Sequence, residues 1–210
     1  MEKKILYICI ILISAYSIYQ KISYNSQSQI LTQMQKDNNS FKALKESIQV
    51  EDLLKGKIIA NIKLFEHNDR ENFLYDILSN YDSDYYLVII SSIEACSTCR
   101  EKTLNIWNDL YKKDKNIPII LIISEPDEIN KNDRRRIRAS INGLNISIPY
   151  YFDIESRLLD NLDVNPYQTP LSIILSHNKK IIAVNNANEY TIDRTLGLKK
   201  LFMSMQSYEE

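Results

Sequence analysis

Two apolar runs, and the helix written between them, constrain this chain more than any other feature. Tyr86-Leu87-Val88-Ile89-Ile90 lacks polar alternation, as does the stretch from Ile117 to Ser124. Each reads as a strand buried on both faces. Between them Leu104, Trp107, Leu110 and Tyr111 fall at i, i+3, i+6 and i+7, one apolar helical face. Strand, helix, strand in that order predicts a parallel pair joined by a right-handed crossover.

The helix opens on Cys96-Ser97-Thr98-Cys99. Two thiols three positions apart at a helix start face each other and can close a small-ring disulfide. The first lies at the positive end of the helix, where free backbone N–H groups stabilise a thiolate and lower its pKa. The thiolate is the attacking species in thiol–disulfide exchange. The pattern therefore points to a reaction type rather than to a substrate. A static disulfide and a metal site remain open at this point, although zinc would need further ligands. The two histidines, His67 and His177, lie in polar turns far from the pair and read as surface residues.

The remaining composition narrows the setting. A length of 210 residues suits one domain plus an appendage, and a net charge of −1 gives no reason to expect nucleic acid. Cys9, the third cysteine, sits in an apolar segment without the small residues of a lipoprotein cleavage box. A single close pair is too few for a disulfide-stapled scaffold. No cofactor and no metal are expected.

Lys3-Lys4 precedes an uncharged run from Ile5 to Tyr19, followed by Gln20-Lys21. Residues 1–21 read as a membrane anchor, with Tyr16 and Tyr19 at the interface, or as a signal segment cleaved near Ala15-Tyr16-Ser17. Either reading puts the chain after Lys21 on the extracytoplasmic side of the cytoplasmic membrane, where disulfides persist. Residues 22–50 are polar, with Ile30, Leu31, Met34, Phe41, Leu44 and Ile48 at loose helical spacing, and read as a spacer. The folded domain is placed at 51–210. Within it Ile58–Phe65 reads as a strand and Phe73–Leu78 as a second strand or short helix. Pro126 to Asn142 reads as a polar helix, Ile146–Phe152 as an extended piece and Ser156–Leu162 as a short helix. Leu171–Leu175 and Ile181–Val184 read as an antiparallel hairpin. A closing helix spans Thr191–Met205, with Leu196, Leu198, Leu201, Phe202 and Met205 as its apolar face. The fold class is α/β: a mixed sheet with helices on both faces and the cysteine pair at the carboxyl end of a central strand.

This layout resembles the thioredoxin superfamily, and within it the membrane-tethered TlpA-type thiol–disulfide oxidoreductases. Four segments carry the resemblance. Gly56–Leu64 with Phe73-Leu74 is similar to the family's N-terminal β-hairpin. Leu87–Cys99 is similar to its first core strand and redox motif. Ile148-Pro149-Tyr150-Tyr151-Phe152-Asp153 and Val164–Pro170 are similar to the stretches before and at its proline loop. The resemblance implies a thioredoxin-like fold, Cys96 as exposed nucleophile, Cys99 as resolving thiol, and Pro170 as a cis-proline preceded by Thr169. The Thr169 backbone would pair with a peptide substrate. The tyrosines read as core and surface filler; Tyr167, if exposed near Pro170, would instead mark a substrate groove. Implied partners are protein thiols or disulfides and a membrane or extracytoplasmic redox partner.

The chain departs from the family pattern in the order of Thr169-Pro170, which is reversed here, and at two further positions. Ala95 stands where the family often has Trp, and Ile90 where thioredoxins carry a buried acid. Glu94 and Glu101 are the acids nearest in sequence and are expected to be solvated. Ile93 before the pair does not fit a peroxidase, and His177 is in the wrong turn for a copper chaperone. Arg134-Arg135-Arg136 with Arg138 reads as a solvated helix face, or as a docking patch. The sequence thus supports two functions: a thiol–disulfide oxidoreductase acting as a reductase, or a non-catalytic thioredoxin-like scaffold at the membrane surface.

Overall fold

A strand whose side chains are apolar on both faces is stable only with a layer on each side. Tyr85–Ser92 (β3) meets that condition in the computed structural model, which describes residues 2–66, 68–94, 96–125, 139, 141, 143, 145–188 and 190–206, with side chains from Gln20 onward except those of Ile22 and Ser23. From β3 the chain turns into the helix Ser97–Lys113 (α3), which returns along the sheet to Ile119–Glu125 (β4). β3 and β4 are parallel, Leu87 opposite Ile119 and Ser92 opposite Ser124. The other neighbour of β3 is Leu171–Ser176 (β6), antiparallel, with Ile89 opposite Ser172. Ile181–Asn186 (β7) completes the hairpin with β6.

Three strands extend the other side. Tyr150–Ile154 (β5) is parallel to β4, and the hairpin of Lys63–Phe65 (β1) and Glu71–Phe73 (β2) adds to β5. The result is a seven-stranded mixed sheet in the order β2-β1-β5-β4-β3-β6-β7. The described helices are α1 (Glu2–Leu54), α2 (Leu74–Ser79), α3, α4 (Arg157–Leu162) and α5 (Ile192–Gln206).

Alternation along β3 sorts the core into two layers. Tyr86, Val88 and Ile90 join Ile120, Ile122, Leu171 and Ile173 on one face, under Val50, Leu54, Leu74, Leu78, Leu158 and Leu162. Leu87 and Ile89 join Ile119, Leu121, Ile123 and Ile174 on the other, under Leu104, Trp107 and Leu110 of α3 and Leu198 and Phe202 of α5. Each fully buried side chain of this kind contributes roughly 1.5–3 kcal/mol. Trp107 meets Phe202 edge-on at 6.4 Å, and its indole Nε1–H donates to Ser172 Oγ at 2.9 Å.

The chain forms two compact units, Met1–Lys42 and Ala43–Glu210. The first is helical, with Tyr24, Ile30, Leu31, Met34 and Phe41 exposed. The second begins with the closing turns of α1, which bury Ser47, Val50 and Leu54. There Ser47 Oγ donates to Asn186 O at 3.2 Å, and Arg194 of α5 donates to Ser47 Oγ at 2.7 Å and to Glu51 Oε2 at 2.6 Å. Among the described residues no helix is long and apolar enough to cross a membrane. The side chains of residues 2–19, where an anchor or signal segment is expected, lie outside the described residues.

Two expected elements differ. The strand expected at Ile58–Phe65 is paired as a strand over Lys63–Phe65 alone, while Ile58 bridges Lys180 in the β6–β7 turn. Between these points Ile59 and Ile62 sink into the core below the sheet, and Tyr75 Oη donates to Ile59 O at 2.6 Å. Core burial, not strand pairing, made this stretch apolar. On α5 the buried stripe is Thr195, Leu198 and Phe202, while Leu196 and Leu201 are exposed. Thr195 turns inward because Asn185 Nδ2 donates to its Oγ1 at 2.8 Å. Most of the helix expected over Pro126–Asn142, and Arg134, Arg135, Arg136 and Arg138 with it, lies outside the described residues, as does His67.

Ser172→Ala leaves the Trp107 indole N–H buried without its acceptor. It is expected to destabilise the domain by about 1–3 kcal/mol. Chemical denaturation followed by circular dichroism checks this, and an unchanged midpoint would count against the bond.

Candidate active site

The end of β3 delivers both cysteines. After Ser92 the chain turns through Ile93 and Glu94, and Cys96 becomes the N-cap of α3. Cys96 and Cys99 form a disulfide, with Cα atoms 5.3 Å apart. The two sulfurs are unequally placed: Cys96 is exposed, whereas Cys99 is 3% exposed. The Cys99 backbone N–H donates to Cys96 Sγ at 3.3 Å, and the Arg100 N–H donates to Cys96 O at 2.9 Å. A donor aimed at the outer sulfur favours its anionic form, as the positive end of the helix does. Half-buried Arg100 reaches back to Ser92 O at 3.4 Å and adds a cation beside the motif. Desolvation lowers its pKa from the ordinary guanidinium value without neutralising it.

The proline loop lies against the same strand end. The 3₁₀ turn Pro166–Gln168 is capped by Asn165, and the Thr169–Pro170 bond that comes after it is cis. Thr169 is buried, and its Oγ1 accepts from Ser92 N at 2.9 Å while donating to Pro166 O at 2.8 Å. One hydroxyl thus joins the proline loop to the strand that carries the cysteines. The Thr169 N–H is engaged with Pro166 O at 3.2 Å. Tyr167, one residue into the turn, is 70% exposed.

A cavity of about 210 Å³ opens beside the disulfide, lined by Cys96, Thr98, Cys99, Lys102, Asn188 and Ile192. Lys102 is placed there by the helical repeat after Cys99. Asn188 comes from the β7–α5 loop and Ile192 from the start of α5, and nothing near the cysteines in sequence announces them. Asn188 is fixed there: its Oδ1 accepts from Tyr190 N, its N–H donates to Thr191 Oγ1, both at 3.0 Å, and its Nδ2 donates to Ala43 O at 3.4 Å. A larger hollow of about 870 Å³, between Tyr75, Tyr81, Tyr86, His177 and Lys179, lies at the amino end of β3 and contains neither cysteine. Among the described residues no group of three or more His, Cys, Asp or Glu is placed to hold a metal ion.

The acids fall into two classes. Glu94 and Glu101 are exposed, and Ile90 is fully buried among apolar neighbours. Asp153 is fully buried on the opposite side of β4 from β3, in register with Ser124 and through it with Ser92. Its Oδ2 accepts from Leu158 N at 2.9 Å at the start of α4. Desolvation raises its pKa from 3.8 to about 6, opposed by the backbone donors Leu158 and Arg157.

Comparison with solved structures fits this geometry. A protein assigned as the thiol:disulfide interchange protein DsbE of Chlorobium tepidum superposes with a TM-score of 0.54 at 14% identity, over 72% of this chain and 97% of its own. A thioredoxin-like protein of Bacteroides caccae gives 0.52 at 16% identity, over 73% and 50%. A thiol:disulfide interchange protein of a Bacteroides species gives 0.50 at 16%, over 70% and 90%. The fold is thioredoxin-like. No family model matches the chain. The GTPase HflX of Methanocaldococcus jannaschii is 24% identical over 189 residues, 88% of this chain and 45% of that protein, so the chain spans less than half the length of that curated relative. The glycines here are Gly56, Gly143 and Gly197, which do not write a phosphate-cradling GxxxxGK[ST] loop.

After reduction, alkylation read by peptide mass mapping should modify Cys96 first, and at a pH below that needed for an unperturbed thiol, with Cys99 protected. The raised pKa of Asp153 gives a stabilising contribution that is full below pH 3.8 and is lost as pH rises through about 6. Asp153→Asn should flatten that part of the stability–pH curve, as measured by chemical denaturation at a series of pH values.

Proposed function

We propose that this protein is a thiol–disulfide oxidoreductase that exchanges disulfides with protein thiols through Cys96. The observation that carries the reading is the asymmetry of the pair: an exposed sulfur at a helix N-cap, bonded to a buried one and hydrogen-bonded to its N–H. In the reducing direction, the Cys96 thiolate attacks a client disulfide and forms a mixed disulfide. Cys99 then attacks Cys96, closing the pair and releasing the client thiol. The Thr169 carbonyl pairs with the client backbone, and Tyr167 packs on its side chains. The likeness to the Chlorobium and Bacteroides thiol:disulfide interchange proteins, joined to the cysteine geometry, supports this chemistry in general terms.

We further propose the TlpA-type setting: a single-pass or exported protein on the extracytoplasmic, periplasmic side, working as a reductase and recycled by a membrane or extracytoplasmic partner. The support is the basic start before the uncharged run Ile5–Tyr19, and the resemblance of the four motifs.

The test uses the full chain equilibrated in glutathione or dithiothreitol buffers, with free thiols counted by mass-tagging. A reversible Cys96–Cys99 couple is expected. A midpoint near roughly −270 mV marks a reductant and one near roughly −120 mV an oxidant. In cells Cys99→Ser should accumulate mixed disulfides that Cys96→Ser does not. A pair that never forms reversibly, with nothing trapped, would overturn the reading in favour of a non-catalytic scaffold.

A further inference from the structure

The resolving step requires Cys99 to lose its proton in a place where water reaches poorly, since that residue is 3% exposed. A buried thiolate is costly unless something donates to it. The charged groups on the surrounding described elements are Lys102 on the cavity wall, Arg100 turned to Ser92 O, exposed Glu94 and Glu101, and Glu125, buried at the end of β4.

Two neutral donors are buried on this side of the sheet. Thr103 is one helical turn beyond Cys99 on the buried face of α3 and is 0% exposed. Helical side chains lean toward the N-terminus, so a residue at i+4 covers the turn of residue i. A threonine in that position commonly donates its hydroxyl to the carbonyl four residues back, here that of Cys99. Thr103 Oγ1 makes no such bond: among the described residues it is buried without a hydrogen-bond partner, and so is Ser91 Oγ.

Register brings the two hydroxyls to one level. Ser91 points to the α3 face of β3, in line with Leu87 and Ile89. Trp107 is fixed at the level of Ile89, because its indole bonds Ser172 and Ser172 is paired with Ile89. From there α3 and β3 lead the same way, toward the cysteines. Four residues back along α3, about 6 Å, is Thr103. Two strand residues on, about 6.6 Å, give Ser91. A buried hydroxyl without a partner costs stability. Two of them at the end of β3 and the first turns of α3 that carry Cys99 call for a role in a state other than the disulfide.

We propose that Thr103 and Ser91 are positioning residues for the resolving thiol: once the disulfide opens, their hydroxyls donate to the Cys99 sulfur, directly or through one water, and hold it as the attacking thiolate. The inference rests on the exchange reading above. The step balances without a further reactant. Cys99 gives its proton to water at the cavity, and its sulfur attacks Cys96 of the mixed disulfide. The Cys96–Cys99 bond forms as the Cys96–client bond breaks. The electron pair leaves on the client sulfur, which takes a proton from water. One disulfide is consumed and one is made.

The test mixes the reduced full chain with 5,5′-dithiobis(2-nitrobenzoate) and monitors the coloured thiolate by stopped flow. Attack by Cys96 releases the first equivalent, and resolution by Cys99 releases the second. Thr103→Val should leave the first phase unchanged, slow the second about tenfold and move its pH profile upward. Thr103→Ser should restore the second phase to within about twofold. Ser91→Ala should act in the same direction as Thr103→Val, and it provides the measurement if Thr103→Val does not fold, as judged by circular dichroism. A second phase in these variants with the wild-type rate and pH profile would overturn the proposal. So would Thr103→Ser as slow as Thr103→Val, which would make the residue a packing element. If the wild-type chain releases no second equivalent, the exchange reading itself has failed, which is a different result from wild-type resolution that ignores these substitutions.

Discussion

The two-sided burial of β3 is the constraint on which the rest of this molecule depends. A strand with Leu87 and Ile89 on one face and Tyr86, Val88 and Ile90 on the other cannot occupy an edge or face water. It requires a strand on each side, supplied by β4 and β6, and a helical layer above and below. The α3 layer is covalently next in the chain. The return of α3 along β3 fixes its first turn over the strand's carboxyl end, so the cysteines stand at the rim of the best-packed part of the fold. That is where precise placement of a reacting atom is easiest to hold.

Much of this was legible in the sequence, for identifiable reasons. Uninterrupted apolar runs mark β3, β4 and β6 because burial on both faces suppresses alternation. The period of α3 is clear because its other face is solvated. The route from Ile58 to Phe65 was not legible. Apolar side chains passing beneath a sheet and apolar side chains in a strand leave the same trace in one dimension. The stripe of α5 was misplaced for a related reason: Thr195 is buried through Asn185, a partner from another element. The cavity wall of Asn188 and Ile192 was invisible because its position is set by the β7–α5 loop folding back on α3. In each case the missing information is which element lies opposite, and local periodicity does not encode that.

The join between the redox turn and the proline loop is a matter of one hydroxyl. Thr169 Oγ1 uses both its acceptor and donor capacity, toward Ser92 and Pro166. The Ser92 N–H would otherwise be an unpaired donor at a strand end. The bond that completes this strand's ladder thereby also sets the spacing between the cysteine turn and the proline loop. Stability and geometry are served by the same atom.

The closing turns of α1 carry a mechanical consequence. Ala43 O receives Asn188, Ser47 Oγ donates to Asn186 O, and Ser47 and Glu51 together hold Arg194. These contacts bracket Ile192, and Asn188 itself lines the cavity beside the disulfide. A load applied along this part of the helix would reach the far wall of the cavity beside the disulfide through four polar contacts, one of them at the end of β7. The stretch that reads in sequence as a spacer therefore ends as a lever on the site.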